Sequence, residues 1–260
     1  LHSVVEQTYE NIELIVIDDC SPDKTAEVAR KELAKPEYQQ KLRNIVLHEK
    51  KINQGAHNAI NDGIKEAKGD WINILNSDDR FICNRIKSLI LTAQSTGSRF
   101  LFSKIRCIGG NGENIKTSFA SNLETIAGKS KVNLPSMSFG FLGAQIAITT
   151  GNFFIHKSLI EEVGEFKDLK YCHDWDYAMR MIAREEPVYL DEILYEYRLH
   201  NSNSFLDLNN IAEKETAYVQ SNFREMFFSL DKINPLAPYP WNWQGIFDTF
   251  ARHFGVQNHW

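Results

Sequence analysis

The chain has 260 residues, 43% hydrophobic and 24% charged, with a net charge of −5. That fits a soluble globular protein with room for one large core. Lys and Arg are scattered without a basic block, which argues against a nucleic-acid partner. Cys20, Cys83, Cys107 and Cys172 form no CxxC pair, which argues against structural zinc and for free thiols in a reducing compartment. The opening Leu1–Glu6 lacks the apolar stretch of a signal peptide. Residues 132–155 are uncharged and long enough to span a bilayer. Pro135, Gly140, Gly143, Gln145, Gly151 and Asn152 make a poor membrane helix, so this reads as loops and a strand lining a site.

In chain order, Glu13-Leu-Ile-Val-Ile-Asp-Asp19 is a continuous apolar run ending in two acids, the pattern of a parallel strand buried on both faces. Ser21-Pro22-Asp23 then predicts a helix start, with Ser21 as cap. Asn44–His48 is a second strand. Ala56, Ala59, Ile60, Ile64 and Ala67 fall on one helical face, and Gly69 stops that helix. Trp71–Leu75 is a third strand, Asn84–Thr96 a helix and Phe100–Ile108 a strand. Residues 109–135 are polar and weakly periodic, predicting loops with a strand near Ile115–Phe119. Lys157–Gly164 and Trp175–Arg184 are short helices, Val188–Leu190 and Ile193–Leu199 two strands, and Asn209–Phe228 a long helix. The rest is an aromatic tail without a clear element. Alternating strands and helices predict an α/β fold with a mostly parallel central sheet flanked by helices.

Four stretches carry candidate chemistry. Asn76-Ser77-Asp78-Asp79 ends the third strand, where ligands bind in open α/β sheets. Adjacent carboxylates there suit Mg²⁺ or Mn²⁺ holding a diphosphate, although the composition is also that of an ordinary turn. Asp18 and Asp19 sit at the equivalent end of the first strand. His173-Asp174-Trp175-Asp176 opens a helix, where Asp174 is either a cap or a proton acceptor. His200 follows the last strand, as a structural residue or as a neutral imidazole beside a metal.

In this order the pieces resemble family 2 glycosyltransferases. Residues 3–25 resemble the family's opening, and Asn53-Gln54-Gly55 with Ala67-Lys68-Gly69-Asp70 its next block. Leu75-Asn-Ser-Asp-Asp79 resembles its DxD region, Gly151-Asn-Phe-Phe154 its acceptor-side block, and Tyr197-Arg-Leu-His200 its late metal-binding segment. The likeness runs over roughly residues 3–205. It implies a GT-A, Rossmann-like fold with a small acceptor-side subregion. Residues 1–108 would bind the nucleotide sugar and 109–230 would carry acceptor and catalytic groups, followed by the tail or linker 231–260.

The resemblance implies a metal-dependent, inverting glycosyltransferase that takes a nucleoside-diphosphate sugar, in the first instance UDP-linked. The acceptor would be a hydroxyl of a glycan or lipid-linked glycan. Asp174 would be the base. Asp19, Asn76 and Ser77 would hold the nucleotide, Asp78 and His200 Mn²⁺ or Mg²⁺, and Trp175 and Asn152 the acceptor. It implies a bacterial polysaccharide-synthesis enzyme in the cytoplasm, including the inner face of the membrane. Two departures stand out. The chain begins inside the helix that follows the family's first strand, as a truncated piece of a longer, multidomain chain would. Asn76 also replaces the first Asp of DxD. The alternatives are a catalytically dead sugar-binding module of a larger synthase and a nucleotidyltransferase.

Overall fold

The structure is a computed structural model that describes residues 1–200 and 209–257. The strands are β1 (Glu13–Asp18), β2 (Asn44–Glu49), β3 (Trp71–Asn73), β4 (Arg80–Phe81), β5 (Phe100–Ile108), β6 (Phe154–His156) and β7 (Val188–Arg198). The helices are α1 (His2–Val5), α2 (Thr25–Leu33), α3 (Pro36–Lys41), α4 (Ala56–Glu66), α5 (Arg85–Thr96), α6 (Ser118–Asn133), α7 (Met137–Gly143), α8 (Lys157–Val163), α9 (His173–Ile182), α10 (Asn209–Met226) and α11 (Phe247–His253).

The α/β architecture stands, but its pairing is more mixed than the sequence reading of a mostly parallel sheet. β1 and β2 form a parallel pair, and β3-β6-β5-β7-β4 form a second sheet. Within the second sheet only β5 and β7 run parallel; the β3–β6, β5–β6 and β4–β7 pairs are antiparallel. The physical reason is connectivity. Regular alternation fixes single crossovers, whereas β6 enters after the α6–α7 excursion and returns from the opposite end.

β1 was expected to be buried on both faces, yet most of it is only half-buried. Its second edge and that of β3 border one cavity of about 2000 Å³, which Ile60 and Ile64 of α4 also line. The carboxyl end of β3 opens into the same space.

Two helix expectations change. The first helix after β1 starts at Thr25, with Asp23 Oδ1 accepting from the Thr25 amide at 2.8 Å. Residues expected as loops and a strand form α6, capped by the Thr117 hydroxyl accepting from the Ala120 amide. Its apolar residues form only a weak stripe. Packing of Ala120 and Ala127 into two separate cores holds it instead. β7 is one strand rather than two, with irregular register opposite Ser103–Ile105.

The main core packs Phe100, Phe102, Phe139, Phe141 and Phe153 against α9. Two bonds pin α4 to the segment before α9. Asn61 Nδ2 donates to the Phe166 carbonyl at 2.9 Å, and the Phe166 amide donates back to Asn61 Oδ1 at 2.8 Å. Among the described residues no helix is long and apolar enough to cross a membrane. All four cysteines are free.

Candidate active site

The turn after β3 is closed by the Asp79 amide donating to the Asn76 carbonyl at 3.2 Å. Asp79 is its anchor. Its carboxylate accepts from the Tyr195 hydroxyl at 2.6 Å, the Arg198 amide at 2.8 Å and Asn76 Nδ2 at 3.2 Å. Arg198 Nε also donates to the Asp78 carbonyl at 2.6 Å. Locked this way, the end of β7 carries His200 to the turn, and its Nε2 lies 3.0 Å from Asp78 Oδ2.

Asn76, Ser77, Asp78, His173, Asp174, Tyr197 and His200 line the same cavity. Asp174 opens α9, where its Oδ1 accepts from the Trp175 amide at 2.7 Å. Burial pushes the Asp174 carboxyl above its ordinary value, against the opposing pull of His173. The Tyr197 hydroxyl is pushed up by burial and by the charges of Asp79, Asp78 and Asp174. The turn, Tyr197 and the start of α9 thus border one cavity.

Asp78 and His200 suit a divalent cation. A carboxylate oxygen and an imidazole nitrogen are compatible donors for Mn²⁺. In this structure the two side chains meet at 3.0 Å, a hydrogen-bond distance. Among the described residues no third His, Cys, Asp or Glu joins them.

Three expected site residues have partners within the protein. Asn152, expected at the acceptor, is fully buried. Its amide donates to the Ser103 and Ala147 carbonyls, and its oxygen accepts from Arg85 and Ser103. Trp175, expected to stack on a sugar, lies in the main core, with Nε1 donating to the Phe141 carbonyl at 2.7 Å. Helix direction decides this: the cleft lies at the N-terminus of α9, and Trp175 faces inward from it. Asp19, expected at the nucleotide base, directly follows the carboxyl end of β1. Its carboxylate accepts from the Gln54 and Gly55 amides and pairs with Lys50 at 3.1 Å. Burial alone would raise its pKa; those amides and the Lys50 ammonium outweigh it and hold the group below its ordinary value. Asp19 thus anchors the loop before α4. Ser77 is exposed at the cavity edge.

Sequence reasoning treated Asp79 only as one of an acid pair and gave no role to Tyr195, Arg198 or Arg85. The fully buried Arg85 guanidinium donates to Asn73 Oδ1, Ser103 Oγ and both oxygens of Asn152. Burial pushes its pKa down to about 9. An arginine at a helix start carries no local mark of such burial, whereas Asp79 was visible as the second acid of the turn.

The fold is GT-A. The chain aligns over 97% of its length with S. aureus TarS 1-349 in complex with UDP-GlcNAc, at a TM-score of 0.65 and 16% identity, covering 66% of that chain. It aligns over 98% with the mannosyltransferase PcManGT of Pyrobaculum calidifontis in complex with GDP-Man and Mn²⁺, at a TM-score of 0.61 and 13% identity, covering 63% of that chain. The chain belongs to glycosyl transferase family 2, whose profile matches residues 1–164. An uncharacterized glycosyltransferase of Rickettsia typhi is 29% identical over 221 residues, which are 84% of this chain and 64% of that protein. The chain therefore spans under two thirds of this relative's length.

Proposed function

We propose that the protein transfers a sugar from a nucleoside-diphosphate donor, in the first instance UDP-linked, to a glycan hydroxyl with inversion. The observation that carries this reading is Asp78 and His200, 122 residues apart, meeting at 3.0 Å in the cavity that Asp174 also lines. The binding of UDP-GlcNAc by TarS and of GDP-Man with Mn²⁺ by the mannosyltransferase lends support by analogy.

Asp174 takes the proton of the acceptor hydroxyl. The freed oxygen attacks the anomeric carbon from the face opposite the diphosphate. The bond from that carbon to the diphosphate breaks, and its electron pair leaves on the phosphate oxygen. A raised carboxyl pKa brings the base closer to neutrality, where proton transfer in the transition state is more effective. A Mn²⁺ or Mg²⁺ ion on Asp78 and His200 would offset the charge of the leaving diphosphate. The acceptor is read as a glycan or lipid-linked glycan, and the site of action as the cytoplasm.

The test is calorimetry and turnover on the intact protein. UDP binding should strengthen with Mn²⁺ in wild type and lose that dependence in Asp78→Ala. Asp174→Asn should bind UDP as wild type does and lose about 10²–10⁴-fold in transfer rate. UDP affinity indifferent to metal would remove Asp78 and His200 from the mechanism. Near-normal turnover in Asp174→Asn would remove the base.

A further inference from the structure

We propose that Asn76 is a positioning residue, tying the Asp78–Asp79 turn to Thr149 and so setting the turn's place against the loop opposite. The proposal rests on the transferase reading only for its kinetic consequence. Asn76 Nδ2 donates to Thr149 Oγ1 at 2.6 Å and to Asp79 Oδ2 at 3.2 Å. An amide has two N–H groups, so both bonds can form together. Thr149 is buried and caps the short 3-10 turn Thr150–Asn152, its hydroxyl oxygen also accepting from the Gly151 amide.

The loop that Asn76 holds is strained. Ile148, a β-branched residue lining the cavity, has φ of +74°. Such a conformation costs on its own and persists only where neighbours enforce it. Thr149 is held on one side by Asn76. On the other, Asn152 Nδ2 grips the Ala147 carbonyl at 3.1 Å. The contacts close a ring: Asn76 to Thr149, Thr149 to Gly151, Gly151 against Tyr195, Tyr195 to Asp79, and Asp79 back to Asn76.

Both bonds as they stand are donated by the Asn76 amide. A carboxylate at position 76 could donate neither bond and would set a second acid against Asp79. Asn at the first position of the acidic motif is thus matched to Thr149 rather than being a weakened ligand. The competing role, a contact to the donor's ribose, gives a different kinetic signature. A ribose contact acts in the bound ground state and changes donor KM. A positioning bond changes kcat, because small misplacement of reacting groups is costly at the transition state.

The test uses the intact protein. Asn76→Asp, Asn76→Ala and Thr149→Val should each lower kcat by about 10–100-fold, with donor KM within about threefold. Thr149→Ser, which keeps the hydroxyl, should stay within about threefold of wild type. The Asn76→Ala, Thr149→Val double variant should be no worse in kcat than the poorer single one. Urea unfolding of wild type, Asn76→Ala, Thr149→Val and the double variant gives a readout that needs no activity. There the two changes should depart from additivity by roughly fivefold or more in the unfolding constant. A rise in donor KM at unchanged kcat, or multiplying kcat losses, overturns the positioning role. Additive unfolding effects overturn the bridge itself. If wild type transfers no sugar, the proposed function fails, while the unfolding cycle still decides whether Asn76 and Thr149 are joined.

Discussion

Asp79 has hydrogen bonds from Tyr195 and Arg198 and yet is pushed up to about 6. Burial dominates; the hydroxyl and the amide lower it, and the neighbouring charge of Asp78 raises it. The sign for stability follows from linkage. A carboxyl whose folded pKa exceeds its unfolded value of about 3.9 favours the fold at low pH, and that contribution is lost as pH rises through 6. The difference in unfolding free energy between wild type and Asp79→Asn should therefore fall between about pH 4 and pH 7, by on the order of 2–3 kcal/mol. Urea titrations in chelator-treated buffer check it; a difference independent of pH contradicts the burial of this acid. Asp79 also shows what a motif conveys. Adjacent acids were legible as a site, but which one faces the cleft was decided by donors 116 and 119 residues away.

At the scale of elements, the glycines of α6 and of the 3-10 turn after Thr149 make opposite predictions. A Cβ on Gly151 would lie 1.9 Å from Tyr195 Oη and 2.7 Å from its Cζ. Tyr195 is buried between Phe81 and Arg85, so it has little room to give. Gly151→Ala should destabilise by about 1–3 kcal/mol through overpacking, and should displace the Tyr195 hydroxyl from Asp79. Gly128 lies inside α6, where a Cβ meets only Tyr189 Oη at 3.8 Å. Gly128→Ala should stabilise by about 0.5–1 kcal/mol, because alanine loses less backbone freedom in a helix. Urea midpoints read both, and a stable Gly151→Ala would place Tyr195 elsewhere. The same α6 escaped the sequence reading because its apolar residues serve two cores rather than one stripe.

For the whole molecule, the C-terminal segment is part of the fold. Tyr239 stacks on Phe223 at 4.5 Å, and its hydroxyl donates to the Phe223 carbonyl at 2.9 Å. Phe139 meets Trp243 at 5.1 Å and Phe250 at 5.0 Å. Tyr239, Phe247, Ala251 and Val256 belong to the main core. Burying a large apolar side chain stabilises by about 1.5–3 kcal/mol. Removing several at once takes away a sum comparable to the whole stability of a domain, about 5–15 kcal/mol. Deleting residues 231–260 should therefore leave an aggregating or molten product, visible as dye binding and loss of a cooperative transition. A soluble deletion with an unchanged midpoint would refute that assignment.

The sequence by itself determined the α/β class, the main strands and helices, and the acids and histidine of the cleft. Those features are local: apolar runs, helical periodicity and short motifs are read within a dozen residues. Tertiary structure decided which of those residues face the cleft. Asp19, Trp175 and Asn152 turn to a loop, the core and Arg85, because their partners come from distant segments. It also decided strand direction, since an antiparallel β6 depends on how α6 and α7 pack rather than on its own three residues. The meeting of Asp78 with His200 belongs to the same class. Each was legible alone, and only β7, paired with β5 and locked through Arg198, brings them to 3.0 Å.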